Sequence, residues 1–189
     1  MDTPVLLYKL TADMISDSDY LITCSYSSTI FECLKFGKQQ GKRFKVLVAE
    51  SKTSSVCYGE VLANFLKSIN IDVQVFPDNE IHKHILKTKF ALVGTDSILF
   101  DGSVINGTPS YKLAVQAKET GKKYFPVCET TKVNTLSFLG KNFKLQKGFD
   151  IVPANLITGI ITENGILDTN KVVKLMKQYS KFFNFFLKI

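Results

Sequence analysis

"FKVLVAES", residues 44–51, decides the fold. Val46, Leu47, Val48 and Ala49 follow one another without the polar alternation of a half-exposed strand. Such a run is covered on both faces, as strands of a parallel sheet are. Upstream, "DYLITCS" (19–25) reads as a first strand ending at small polar residues. Between the two, "STIFECLKFGKQQGK" (28–42) places Ile30, Phe31 and Leu34 on one side of a helix, with Phe36 as a candidate fourth and Gly37 or Gly41 as the stop. Downstream, "VCYGEVLANFLKSIN" (56–70) repeats the helical spacing through Val61, Leu62, Phe65, Leu66 and Ile69, and "IDVQVF" (71–76) is a third strand.

The alternation continues. "PDNEIHKHILK" (77–87) opens with Pro77 and Asp78 as a short helix start. "FALVGTDSILF" (90–100) reads as a fourth strand running on past Asp96, and Asp101-Gly102 turns it into "SVING" (103–107) as a hairpin. "SYKLAVQAKETGK" (110–122) is a helix stopped by Gly121, "YFPVCET" (124–130) a fifth strand, and "LITGIITENGIL" (156–167) a terminal strand or turn pair around Asn164-Gly165. A looser basic stretch, 132–148, lies before the last of these. Strand and helix in this order predict an α/β fold: a Rossmann-like, doubly wound, mostly parallel sheet with helices on both faces, plus a small hairpin.

The bulk properties agree with one globular domain over residues 1–189: 45% hydrophobic and 22% charged residues, no linker, no repeat. No apolar run is long enough for a membrane span, and the acidic N-terminus lacks a signal-peptide pattern. Cys24, Cys33, Cys57 and Cys128 form no C-x-x-C pair and no metal-like spacing with His82 and His84, so reduced thiols in a cytoplasmic protein, no metal and no cofactor are expected. The net charge of +7 is spread along the chain. It suits a solvated lysine-rich surface better than a nucleic-acid interface, for which no motif is present.

The segment "DTNKVVKLMKQYSKFFNFFLKI" (168–189) stands apart as a basic amphipathic helix. It is read as a last helix docked on its own sheet or a twin subunit. A membrane-surface anchor and a partner-binding helix are the alternatives.

Ligands of open α/β sheets bind beyond the carboxyl ends of the strands. There the chain carries Ser25, Tyr26, Ser27 and Ser28, then Lys52, Ser54 and Ser55, then Thr130, Thr131 and Lys132. Hydroxyls, a lysine and helix-start amides suit a sugar phosphate or nucleotide, although Ser and Thr also simply cap helices. No Walker loop and no G-x-G-x-x-G is present. Asp96, after Gly94 at the expected rim, is either a partly desolvated acid/base or a carboxylate tying loop amides together.

Five pieces, "ITCSYSST" (22–29), "GKRFKVLVAES" (41–51), "GTDSILFDGSVIN" (94–106), "YKLAVQAKETGKKYFPVCETTK" (111–132) and "FDIVPANLITGIITENGIL" (149–167), occur in an order and spacing that resemble the C-terminal domain of the translation initiation factor 2B alpha/beta/delta family. Methylthioribose-1-phosphate and ribose-1,5-bisphosphate isomerases are related to it. The resemblance covers roughly residues 15–168. It implies that Asp96 matches the isomerases' catalytic aspartate. The partner cysteine falls on Ser25, with Cys24 one residue early and therefore turned to the opposite face; a one-residue shift in register would return Cys24. It also implies that Asn106 stands at the ligand, that the following lysine is replaced by Gly107, and that Pro109-Ser110 replace Gly-Thr at the next helix start. Residues 1–18 leave no room for the helical domain that family members carry ahead of this one, so that domain is expected to be absent. The resemblance thus implies a non-catalytic, initiation factor 2B-like protein that dimerises or assembles with related subunits and holds a phosphorylated small molecule. The alternative is a sugar-phosphate isomerase using Asp96 with Cys24 or Ser25; third is a basic nucleic-acid-associated protein.

Overall fold

In the computed structural model, residues 3–140, 144–168, 170–174 and 177 are described. The elements in chain order are α1 (Thr3–Asp13), β1 (Tyr20–Cys24), α2 (Ser28–Gln39), β2 (Lys45–Ala49), α3 (Tyr58–Ser68) and β3 (Asp72–Phe76). Then come α4 (Ile81–His84), β4 (Phe90–Gly94), β5 (Ser97–Ile98), β6 (Val104–Gly107), α5 (Ser110–Glu119) and β7 (Lys123–Val127). The chain finishes with α6 (Thr135–Phe138), β8 (Phe149–Val152), β9 (Ile160–Thr162) and β10 (Gly165–Leu167).

Seven strands form one sheet in the order β10-β9-β7-β4-β1-β2-β3, parallel except where β10 turns back on β9. The run at 46–49 sits inside it, paired on both sides, with all four residues buried. Its side chains alternate between two cores. Val46 and Val48 join Leu7, Ile30, Leu34, Leu62 and Leu66 under α1, α2 and α3. Leu47 and Ala49 join Ile81, Ile85, Leu113 and Ala117 under α4 and α5. Helices therefore cover both faces, as the unbroken apolar run requires.

Four features differ in detail from the sequence reading or go unassigned in it. The N-terminal residues form α1, whose Leu7, Thr11 and Ala12 are buried. The fourth strand stops at Gly94 instead of continuing past Asp96. The Asp96 amide donates to Ile105 O at 2.9 Å, which commits the chain to a second, antiparallel sheet, β5-β6-β8. The short helix expected after β3 is present from Asp78, as a single α turn between two 3-10 turns. At the terminal hairpin Gly165 pairs with Thr162, so the turn is Glu163-Asn164, with Gly165 at φ 103° as the first strand residue. The expected hairpin at Asp101-Gly102 is present between β5 and β6.

Residues 170–174 are helical, with Val172 buried in the α4–α5 core and Asp168 accepting the Lys171 amide at 2.7 Å. Most of the expected C-terminal amphipathic helix lies outside the described residues. No described helix is long and apolar enough to cross a membrane.

Candidate functional site

The carboxyl ends of β1 and β2 are tied together through the Ser51 side chain. Ser25 and Ser51 follow the two strands with φ of 62° and 50°, a left-handed conformation that costs a non-glycine residue about 1–2 kcal/mol. Such strain persists where the surroundings over-determine it, often at functional sites. Here Ser51 Oγ accepts the Ser25 amide at 2.6 Å and donates to Ala49 O at 3.2 Å. The Ser51 amide donates to Asp78 Oδ1 at 2.8 Å, which brings in the end of β3.

Above this knot lies a cleft of about 730 Å³, within the range of about 300–1,000 Å³ usual for small-ligand sites. The 51–58 loop forms one wall through Lys52, Ser54, Ser55 and Tyr58. Ser25, Tyr26 and Asp96 line the strand-end side, and Thr108, Lys147 and Phe149 the other. Among the described residues neither Lys52 nor Lys147 has a carboxylate partner, so two ammonium groups face the cleft against one acid.

Asp96 stands exposed at the rim. Neighbouring protein still removes enough water from its carboxyl to raise it above the ordinary aspartate value, an effect opposed by the positive charge of Lys132. Asp96 and Phe149 also line a smaller cavity of about 310 Å³ with Ser97, Asn134, Lys144 and Gln146. They are thus the partition between two hollows.

Cys24 is elsewhere. Its side chain shares a strand face with Ile22 and points into the core under α4 and α5, fully buried. Sγ lies 3.3 Å from Ser110 Oγ. Ser110 gives its one hydrogen to Gly107 O at 2.6 Å and accepts from Asn106 Nδ2 at 2.7 Å. Its remaining capacity is a lone pair, so Cys24 is the donor and its thiol is protonated. Burial pushes that thiol up to about 12, the Ser110 bond acting the other way. Of the pair proposed as the nucleophile, Ser25 lines the cleft beside Asp96; Cys24 does not.

The remaining candidates divide. Tyr26 and Lys52 line the cleft with Ser25. Ser27 caps its own helix, accepting the Ile30 amide at 3.3 Å, and Ser28 is exposed at the start of α2; neither lines the cleft. Asn106 is buried and committed to Ser110. Thr131 donates to Glu129, Thr130 to Glu163, and the Lys132 carbonyl accepts the Ile98 amide. Lys132 reaches the site only through its field on Asp96. The start of α5 is filled from within: Asp150 accepts Thr108 Oγ1 at 2.9 Å and the Tyr111 amide at 3.0 Å. Sequence reasoning passed over Tyr58, Thr108, Lys147 and Phe149; the Lys147-Gly148 pair inside an aperiodic basic stretch was the one available signal. No cluster of three or more His, Cys, Asp or Glu side chains that would hold a metal occurs among the described residues.

A translation initiation factor eIF-2B subunit 2-like protein of Pyrococcus furiosus is 34% identical over 172 residues, 84% of this chain and 61% of that protein. A ribose 1,5-bisphosphate isomerase of Haloferax volcanii is 25% identical over 195 residues, 91% of this chain and 60% of that enzyme. The crystal structure of translation initiation factor eIF-2B from Pyrococcus horikoshii superposes with a TM-score of 0.80 at 30% identity, covering 88% of this chain and 64% of that one. The chain therefore spans about three fifths of the length of the curated relatives it matches. With the model of the Initiation factor 2 subunit family matching residues 4–147, the chain belongs to that family.

Proposed function

We propose that this is a non-catalytic, initiation factor 2B-like regulatory protein of the cytoplasm. It holds a phosphorylated sugar or nucleotide in the strand-end cleft and acts by assembling with a second copy or with related subunits. The observation that carries the reading is the separation of Cys24 from Asp96. The thiol is protonated, spent on Ser110 and enclosed in the core, while Asp96 faces the cleft. Ser25, the hydroxyl that does reach the cleft, makes no hydrogen bond to Asp96 or any other base among the described residues, and an unassisted serine is a poor nucleophile. Lys52 and Lys147 support an anionic ligand. Purified protein incubated with ribose 1,5-bisphosphate or methylthioribose 1-phosphate should give no isomerised product, and measurable turnover would overturn the reading.

A second reading has one observation in its favour. Asp96 combines a cleft position with a raised carboxyl, the condition of a general acid/base, and some relatives are isomerases. On that reading Asp96→Asn abolishes turnover without lowering the unfolding midpoint.

A further inference from the structure

The end of the sheet away from the cleft carries a separate hollow of about 230 Å³, where α2 and α3 finish and β2 and β3 begin. Lys38, Lys42, Arg43 and Asn70 line it, together with Phe44 and Ile71, which are buried. β2 runs from this hollow to the cleft. At roughly 3.3 Å per residue, the span from Lys45 to Ser51 puts about 20 Å between the two.

Both helices end here in the same way. Gly41 and Asn70, just past α2 and α3, have φ of 82° and 59°. The Lys42 amide donates to Gly37 O at 3.3 Å and the Gly41 amide to Lys38 O at 3.0 Å. The Ile71 amide donates to Leu66 O at 3.1 Å and the Asn70 amide to Lys67 O at 2.9 Å. Backbone amides thus satisfy these last-turn carbonyls. Basic side chains at a helix C-terminus ordinarily serve such carbonyls and the negative end of the dipole. Here four of the carbonyls are already taken.

The cations are held in place but not neutralised. Lys42 Nζ donates to Ala12 O at 2.7 Å, which fixes the ammonium and leaves it two hydrogens. Arg43 is pinned by its backbone: its amide donates to Asp17 Oδ1 at 2.8 Å and its carbonyl accepts the Ser18 amide at 2.7 Å. Its guanidinium and the Lys38 ammonium have no partner among the described residues. Asp72 is the one acid in the lining, and it lies 3.6 Å from Lys45 Nζ. Three positive charges against one paired acid attract an anion. The hollow is smaller than the usual small-ligand range of about 300–1,000 Å³, so it suits one compact group. A phosphate dianion offers two charges and oxygens in several directions, whereas a carboxylate offers one charge and two coplanar oxygens.

We propose that Lys38, Lys42 and Arg43 form a phosphate-binding site at the amino-terminal end of the sheet, independent of the strand-end cleft. The dianion arrives free or as the phosphoryl group of a phosphorylated side chain on a partner protein.

The test is titration of the nitrogen-15-labelled whole chain at neutral pH with inorganic phosphate, acetate and phosphoserine blocked at both ends, ionic strength being held constant with sodium chloride. The Gly41, Arg43 and Asn70 amides should shift saturably with phosphate, and acetate should bind about tenfold more weakly. Arg43→Gln should weaken phosphate by about tenfold, and Arg43→Lys should restore part of the loss. Lys52→Gln, in the cleft, should leave these shifts as they are in the parent. Blocked phosphoserine binding at least as tightly as the free ion identifies a phosphorylated side chain as the source; weaker binding identifies the free ion. Shifts that grow without saturating, that acetate reproduces at equal concentration, or that survive Arg43→Gln overturn the site. Shifts lost with Lys52→Gln assign the binding to the cleft and overturn it equally.

Discussion

Cys24 gives its thiol hydrogen to Ser110 Oγ across 3.3 Å, joining the end of β1 to the first residue of α5. Burial pushes Cys24, Cys33 and Cys128 up to about 12, so at pH 8 all three are thiols and poor nucleophiles. Cys57 is the more accessible sulfur. Iodoacetamide applied to native protein at pH 8 should modify Cys57 and spare the other three, as read by peptide mass spectrometry. Alkylation of Cys24 at the rate of Cys57 would contradict the buried, donating thiol.

Ser110 is the centre of that network. Ser110→Ala removes the acceptor used by Asn106 and Cys24 and the donor used by Gly107 O. Several buried polar groups then lose their partner, so the expected cost is about 2–4 kcal/mol, measured by urea unfolding. Thr108→Ala, which releases one exposed bond to Asp150, should cost about 0.5 kcal/mol. Similar losses from the two variants would mean the buried network is not the stronger of the two.

The Asp96 carboxyl has a definite pH signature. Its folded value is raised, so the stability it allows is full below the unfolded aspartate value and is lost as pH rises through the folded one. At pH 7 the ionised group works against the folded state. Asp96→Asn is therefore expected to be more stable than the parent at pH 7, with the difference closing as pH falls below about 4. Lys132→Gln should move the Asp96 midpoint upward in a carbon-13 titration, because the lysine charge now opposes the shift. A midpoint that stays put would remove Lys132 from the site.

Gly94 is at the end of β4, and Ser27 presses on it from the start of α2. A Cβ at position 94 would lie 2.5 Å from Ser27 Oγ and 2.6 Å from Ser27 Cβ. The second contact cannot be relieved by rotating the hydroxyl. Gly94→Ala should displace the cap of α2 and cost about 2–4 kcal/mol in thermal or urea unfolding. Adding Ser27→Gly should restore most of it, since that removes both clashing atoms. A double variant no better than Gly94→Ala alone would place the strain elsewhere.

The fold was legible where apolar order and period coincide. Val46–Ala49 announced a strand with two covered faces, and Val61, Leu62, Phe65 and Leu66 a helix on one of them. α1 escaped notice because its pattern is weak: Leu6 is exposed while Leu7 is buried, and no acidic first turn or basic last turn marks its ends. The break after Gly94 was hidden because Ser97-Ile98-Leu99 continues the apolar run while changing sheets. For the site, Cys24 closes β1 with its side chain in the core, while Ser25 lies just beyond the strand at φ 62° and lines the cleft. What the local sequence cannot supply is the neighbour. That Cys24 meets Ser110, or that Lys147 from an aperiodic stretch faces Lys52's cleft, depends on long-range topology with no local mark.

Only Thr95 and Asp96 separate the last residue of β4 from the first of β5, and those strands belong to different sheets. Two residues leave almost no slack. If the smaller sheet rocks against the larger, this joint is the pivot, while Lys147 and Phe149, out toward the far strand of the smaller sheet, travel the longer arc. Asp96 would then hold its station as the opposite lip swings. The width of the cleft would then be set by the tilt of a whole layer rather than by any single side chain.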